Sequence, residues 1–463
     1  MRGDLTKGPI TKTMLAFALP MILGNLLQQT YNVADTLIVG RFLGPDALAA
    51  VGSSYTLMSF LTSILLGLCM GSGAAFSIAF GEKNEEKLKN SMYVSFMLIG
   101  AVAIVLNVAV FIFLEPIMDL LQVPTEVYPM MREYLWIIFF GILATFLYNY
   151  FASFLRSLGN SVVPLAFLAV SAVLNIFLDL VFVLSVNMGV GGAALATVIS
   201  QYISGIGIAL YTYIKMPQFW FRKKYCSWSK KIAKEIAQFS FLTSLQQSVM
   251  NFGILMVQGL INSFGPVVMA AFAAGVKIDS FAYMPVQDFG NAFSVFVAQN
   301  HGAKKEERIR LGIRRAVVIA IAFCIVISVA VFVFASPLMT IFVSQAETEV
   351  IRIGAQYLRV EGTFYFGIGC LFLLYGFYRA VEKPGMSVVL TVISLGTRVV
   401  LAYMLSSIEA IGVMGIWWSV PIGWVLADLT GWMYYKLRYK KKMIGMKTVS
   451  YTHLRAHETE LHL

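Results

Sequence analysis

GPDALAA at residues 44–50 returns as GPVVMAA at residues 265–271, and the same displacement of 221 carries GEKNEEK at 81–87 onto GAKKEER at 302–308. FIFLEP at 111–116 likewise falls on FVFASP at 332–337. A two-residue insertion then moves the offset to 223, where Tyr134-Leu135 meets Tyr357-Leu358, Arg156 meets Arg379, and MGVGG at 188–192 meets IGVMG at 411–415. Residues 13–214 and 235–436 are therefore one unit written twice.

The medium in which that unit folds follows from composition. Of 463 residues, 59% are hydrophobic and 13% charged, and the mean hydropathy is +0.77, far from soluble averages. At roughly 20 residues per membrane crossing, twelve apolar segments are expected, at about 13–39, 47–80, 90–114, 128–155, 161–185, 190–214, 235–262, 266–300, 314–336, 350–378, 385–407 and 411–436. The expected fold class is an all-α membrane protein of two pseudo-symmetric six-helix lobes. The N-lobe spans 1–214, a basic linker 215–234, the C-lobe 235–437 and a tail 438–463. Met1–Lys12 lacks the short apolar core of a cleavable signal, so the first helix is expected to be retained. Four cysteines without CxxC spacing give neither a disulfide framework nor a metal site.

The net charge of +11 reads as topology rather than nucleic-acid binding. The two tails and the even-to-odd loops hold 29 of the 35 Lys and Arg residues, and the opposite loops near 115–126, 186–191, 262–266, 337–349 and 406–411 hold none. The positive-inside rule then places both termini and the linker in the cytoplasm. Six helices per copy make the two copies enter the membrane in the same direction, related by an axis along its normal, with a cavity between them.

Ionisable chemistry is unevenly divided between the copies. In the first helix Asn25, Gln28, Gln29, Asn32, Asp35 and Thr36 recur at three- and four-residue steps, one stripe of about 120°. A carboxylate at mid-membrane costs at least about 2.5–3.5 kcal/mol on insertion scales. Polar contacts between helices account for the amides, but not for Asp35. In SAVLNIFLDLVF, Ser171, Asn175 and Asp179 share a face of the fifth helix. Carboxylate and amide oxygens suit Na⁺; two carboxylates sharing a low-dielectric site equally let one hold a proton. Thr197 in the sixth helix either adds an oxygen or bonds back to its own helix. The second copy has Arg398 and Ala402 where the first has Asn175 and Asp179, and Met256 or Val257 where it has Asp35. It keeps a neutral stripe of Gln247, Asn251, Gln258 and Asn262. Packing of the duplicated unit does not require the acids.

FALPMILGN (17–25), the stripe from Gln28 to Asp35, VGRFLGPDALAA (39–50) and LNIFLD (174–179) followed by GGAALAT (191–197) together resemble the MATE multidrug and toxin extrusion transporters, in their DinF-like bacterial branch, over residues 10–437. The resemblance implies a MATE/MOP-type fold of twelve transmembrane helices and export of organic cations or amphipathic drugs in exchange for H⁺ or Na⁺. It implies a bacterial inner-membrane location and no cofactor beyond the coupling ion, and a chain that already contains both lobes is expected to work as a monomer. It assigns cation coupling to Asp35, Asn175, Asp179 and Thr197, and helix bending to Pro20. Asn25, Gln28, Gln29 and Asn32, with Gln247 and Asn251 of the second copy, are expected to line the substrate cavity. The NorM-like branch instead carries a carboxylate in the tenth helix, where this chain has Ile368.

Remaining buried charges are read as structural pairs, Glu361 with Arg398 and Lys277 with Asp288. A flippase for lipid-linked saccharides is the alternative function; Lys277 and Arg398 as the deep cations are few for a pyrophosphate. An intramembrane aspartyl protease using Asp35 and Asp179 lacks the usual GxGD signature. The last fourteen residues, SYTHLRAHETELHL, hold three of the four histidines and break every preceding pattern, as an extraneous segment does.

Overall fold

The computed structural model describes residues 3–120, 123–220 and 227–440. Part of the basic linker (221–226) and the tail from 441, including the fourteen divergent residues, lie outside the described residues. The first half comprises α1 (Ile10–Phe42), α2 (Pro45–Gly81), α3 (Glu85–Ile112), α4 (Leu114–Leu120), α5 (Tyr128–Ile138), α6 (Gly141–Ser157), α7 (Val162–Asp179) and α8 (Gly189–Lys215). The second comprises α9 (Lys230–Asn262), α10 (Pro266–Gly302), α11 (Glu306–Met339), α12 (Thr348–Thr363), α13 (Tyr365–Ala380), α14 (Pro384–Ser406) and α15 (Val413–Tyr434). A π-helical stretch, Leu180–Ser185, follows α7 directly.

The opening repeat acquires a physical reason here. Gly44 and Gly265 sit at φ 91° and 90°, backbone that glycine adopts without strain. Each is followed by a proline at the start of a 37-residue helix, α2 or α10, where the ring fits and the missing N–H is not needed. Lys83 and Lys304, 221 residues apart, share φ 56° at the far ends of those helices.

Nine helical spans among the described residues are long and apolar enough to cross a membrane, and the bent pairs α5–α6 (45°) and α12–α13 (52°) bring the number to eleven. The expected twelfth crossing is α9, which has 33 residues but is not among those spans. Its Gln246, Gln247, Asn251 and Gln258 dilute the apolar run. Such a helix needs protein rather than lipid around it, and α9 packs along α2 and α14.

Within the halves α6 and α7 pack on α8, α1 on α7, α10 on α13 and α14 on α15; the halves meet along α2–α9, α2–α10 and α1–α10. Close approach of the halves lies in the part of the bundle that bears the N-terminus. A Cβ on Gly81 would lie 2.0 Å from the Gln299 carbonyl oxygen, and one on Gly302 2.1 Å from that of Ile78. Gly67 and Gly71 of α2 meet the α9 backbone at Ser244 and Phe239 in the same way. The glycines of the repeated GEKNEEK and GAKKEER motifs are thus where the α2 and α10 backbones touch.

Residues 3–8 form a strap across that seam. The Leu5 N–H donates to Gln299 Oε1 at 2.9 Å, and Gln299 Nε2 donates to the Ser157 carbonyl at 2.7 Å. Arg308 donates to the carbonyls of Leu5, Lys7 and Gly8, and Lys305 to that of Thr6. Asn25 Nδ2 donates to Asp288 Oδ1 at 2.5 Å, about 22 Å along α1 from its start. Ser244 Oγ donates to the Ile64 carbonyl at 3.0 Å. Beyond these bonds, toward the opposite end, no side-chain hydrogen bond joins the halves among the described residues.

Candidate functional site

Asp35, Asn175, Asp179 and Thr197 come together where α1, α7 and α8 meet. Ser171, Asn175 and Asp179 face inward at three successive turns of α7, with Asn175 2% and Asp179 0% exposed. Ser171 Oγ fixes the register by donating to the Ser200 carbonyl of α8 at 3.0 Å. Asp35 approaches from α1, and its carboxyl is the immediate electrostatic neighbour of the Asp179 carboxyl. The π-helical stretch begins at the residue after Asp179, a local widening common beside functional side chains.

Hydrogen-bond direction decides what the set offers. Thr197 Oγ1 donates to the Ala193 carbonyl at 3.1 Å and accepts from Asn175 Nδ2 at 3.2 Å. With its amino group spent on Thr197, Asn175 keeps its carbonyl oxygen free. Asn175 Oδ1, Asp35 Oδ1 and both Asp179 oxygens are enclosed and receive no hydrogen bond from an amide, hydroxyl or basic group among the described residues, while the two carboxyls lie within hydrogen-bonding reach of each other. Buried acceptors without donors are costly. Four oxygens of this kind from one amide and two carboxylates suit a hard monovalent cation, or a proton on one carboxyl. Thr197 bonds back to its own helix, one of the two roles considered from sequence, and its oxygen also accepts the Asn175 amide hydrogen. No group of three or more His, Cys, Asp or Glu side chains able to hold a metal is present among the described residues.

Two tyrosines belong to the site. Tyr134 of α5 is buried beside both carboxyls, and Tyr31 lies one turn before Asp35, against Gln28. The repeat match of Tyr134 with Tyr357 was the available signal. Gln28, Gln29 and Asn32 of α1 and Gln247 and Asn251 of α9 are half-buried, bordering open space rather than packed interior. Asn25 stands apart from them, bonded to Asp288 across the seam. Pro20 lies inside α1, which runs as one continuous helix past it.

Neither expected charge pair forms. Asp288 takes Asn25 and has Arg156 and Asn291 nearby, while Lys277 turns toward the Phe342 ring, 5.9 Å from its centroid. Glu361 bonds to Tyr357 and adjoins Asp279; Arg398 is an electrostatic neighbour without ion-pair contact. α10, with 37 residues, runs past α1, α2, α11, α12 and α13, so sequence spacing alone selects poorly among partners.

The family model described as MatE matches residues 20–181 and 240–404. The probable multidrug resistance protein YpnP of Bacillus subtilis is 31% identical over 446 residues, covering 95% of this chain and 98% of that protein. The probable multidrug resistance protein NorM of Thermotoga maritima is 26% identical over 420 residues, 88% of each. Among solved structures, the outward-facing conformation of a multidrug resistance MATE family transporter of the MOP superfamily superposes with a TM-score of 0.88 at 22% identity, covering 94% of this chain and 97% of that one. That last likeness is one of fold.

Proposed function

The chain belongs to the MatE family, and from that premise we propose that this multi-pass efflux transporter is an antiporter exchanging H⁺ or Na⁺ for lipophilic organic cations at Asp35 and Asp179. As a transporter it performs no peptide cleavage, which removes the aspartyl-protease reading. The observation that carries the proposal is the set of four enclosed oxygens without donors on Asp35, Asn175 and Asp179. Sites that lack donors and basic partners gain most from a cation that comes and goes.

With the basic loops inside, the strapped face is cytoplasmic, and the protein is in its outward-open form. Ionised, Asp35 and Asp179 attract a cationic drug to the amide-lined space bordered by Gln28, Gln29, Asn32, Gln247 and Asn251. A proton or Na⁺ arriving from outside neutralises the pair and lowers the drug's hold, so the drug leaves outward. The coupling cation is released on the cytoplasmic side after the seam reopens. Each unit charge crossing 100 mV contributes about 2.3 kcal/mol, sufficient for accumulation against a gradient. Multidrug relatives favour this reading over lipid-linked saccharide flipping.

The test is ethidium efflux from proteoliposomes under an imposed pH or Na⁺ gradient, with Asp35→Asn and Asp179→Asn beside the parent. Export under one gradient that stops in both variants supports the proposal and names the ion. A parent that exports no cation under either gradient refutes it.

A further inference from the structure

The second half carries a buried polar cluster that the coupling site does not use. Asp279 of α10 is 5% and Glu361 of α12 is 2% exposed. The Tyr357 hydroxyl lies 3.4 Å from Asp279 Oδ2 and 3.1 Å from Glu361 Oε2. Tyr365, the first residue of α13, donates to Asp279 Oδ1 at 2.6 Å. Glu361 Oε1 is enclosed and has no hydrogen-bond partner among the described residues. Arg398 of α14 and Tyr283 of α10 are the other ionisable neighbours, and α15 contributes the Trp417 ring, edge-on to Tyr357 at 4.9 Å.

Hydrogens do not balance if both acids are ionised. Tyr357 has one hydroxyl hydrogen for two carboxyl oxygens, and that of Tyr365 is engaged with Asp279 Oδ1. One contact at Tyr357 would then set oxygen against oxygen with nothing between. Two negative charges would also face a single arginine in a medium that tolerates no net charge. One added proton on either carboxyl fills the missing position and brings the pair with Arg398 to neutrality.

We propose that Asp279 and Glu361 form a second proton-binding site, one proton being shared between them with Arg398 as fixed counter-charge. The duplication supports a site rather than a packing accident. Tyr357 is the repeat partner of Tyr134, which borders Asp35 and Asp179, and Arg398 is the repeat partner of Asn175. One tyrosine position thus serves an acid pair in each half, although the second pair comes from different helices. Replacing the amide by a permanent cation repels Na⁺ and leaves the proton as the ligand. Tyr357 and Glu361 lie before the 52° break between α12 and α13, and Tyr365 lies after it. Loss of the proton therefore sets like charges on α10 and α12 against each other beside that bend.

The test is infrared spectroscopy of the full chain in lipid nanodiscs, reading the carbonyl stretch of protonated carboxyls. The background is the Asp35→Asn/Asp179→Asn double variant, so that failure of the coupling proposal does not affect the result. A protonated-carboxyl band present there and lost in both Glu361→Gln and Asp279→Asn is the expected outcome. Tyr357→Phe, which keeps the ring contacts, should shift that band without removing it, and serves if the acid variants do not fold. A carboxyl region unchanged by Glu361→Gln, or unchanged by Tyr357→Phe where the acid variants fail to fold, overturns the proposal.

Discussion

Replacing Gly81 by alanine tests whether glycine contact closes the strapped face. The added Cβ would meet the Gln299 carbonyl oxygen at 2.0 Å and its carbonyl carbon at 2.8 Å, both backbone. Ordinary contact begins at 3.4 Å, so α2 and α10 must separate by roughly 1.4 Å there. No flexible side chain can absorb that displacement. Overpacking of this kind costs about 1–3 kcal/mol, and the cost falls only on the conformation in which the two backbones touch. The population of the form open at this face should therefore rise roughly 5- to 150-fold. Spin labels at Glu86→Cys and Glu307→Cys, both exposed beside the seam, in a background with the four native cysteines replaced by serine, report the separation by pulsed electron resonance. The expected result is a longer-distance population growing in Gly81→Ala and in Gly302→Ala alike. Distance distributions identical to the parent in both variants would refute the assignment of this contact as the closing one.

Other expectations follow from single side chains. Thr197→Val removes the acceptor that orients Asn175 and should weaken coupling-ion affinity about 10- to 100-fold, while Thr197→Ser retains it; ion dependence of ethidium efflux compares them. Arg308→Ala removes donors to three strap carbonyls, and amide exchange at residues 3–8 should accelerate at least about tenfold. Asp4 carries a further pH dependence. Burial pushes its carboxyl up, but hydrogen bonds from Thr6 and Lys7 outweigh this and hold it below its ordinary value. A depressed carboxyl contributes stability above its unfolded pKa and loses it as pH falls through the folded one. Protection of residues 3–8 should thus decline only below about pH 4, and a decline beginning near neutrality contradicts that origin.

Legibility in the sequence varied with the range of the interaction. The acids of α1 and α7 were visible because helical spacing fixes which residues share a face and because the repeat supplied an internal comparison. The alignment of Tyr134 with Tyr357 was also in hand, yet nothing local tied either tyrosine to a carboxyl. Asn25 lies on the same stripe as Gln28 and Asn32, but α1 leaves one neighbour for another along its length, so its lower part meets Asp288. The partners of Lys277 and Glu361 depended on packing between helices distant in sequence. Segment length and apolar content marked all twelve crossings, but α9 falls below the hydropathy of the other eleven, since the amides that suit it to a protein environment also dilute its apolar run.

The strap orders events during synthesis. Leu5 leaves the ribosome long before its partner Gln299, 294 residues later, and Arg308 follows later still. At about 5–20 residues per second, the first residues wait roughly 15–60 s without their bonding partners. The seam therefore cannot be sealed before α9 and α10 of the second half have been made, and a chain stalled after the first six crossings would display an unmatched glycine face on α2. Quality control that recognises such a face would act on halves rather than on finished transporters.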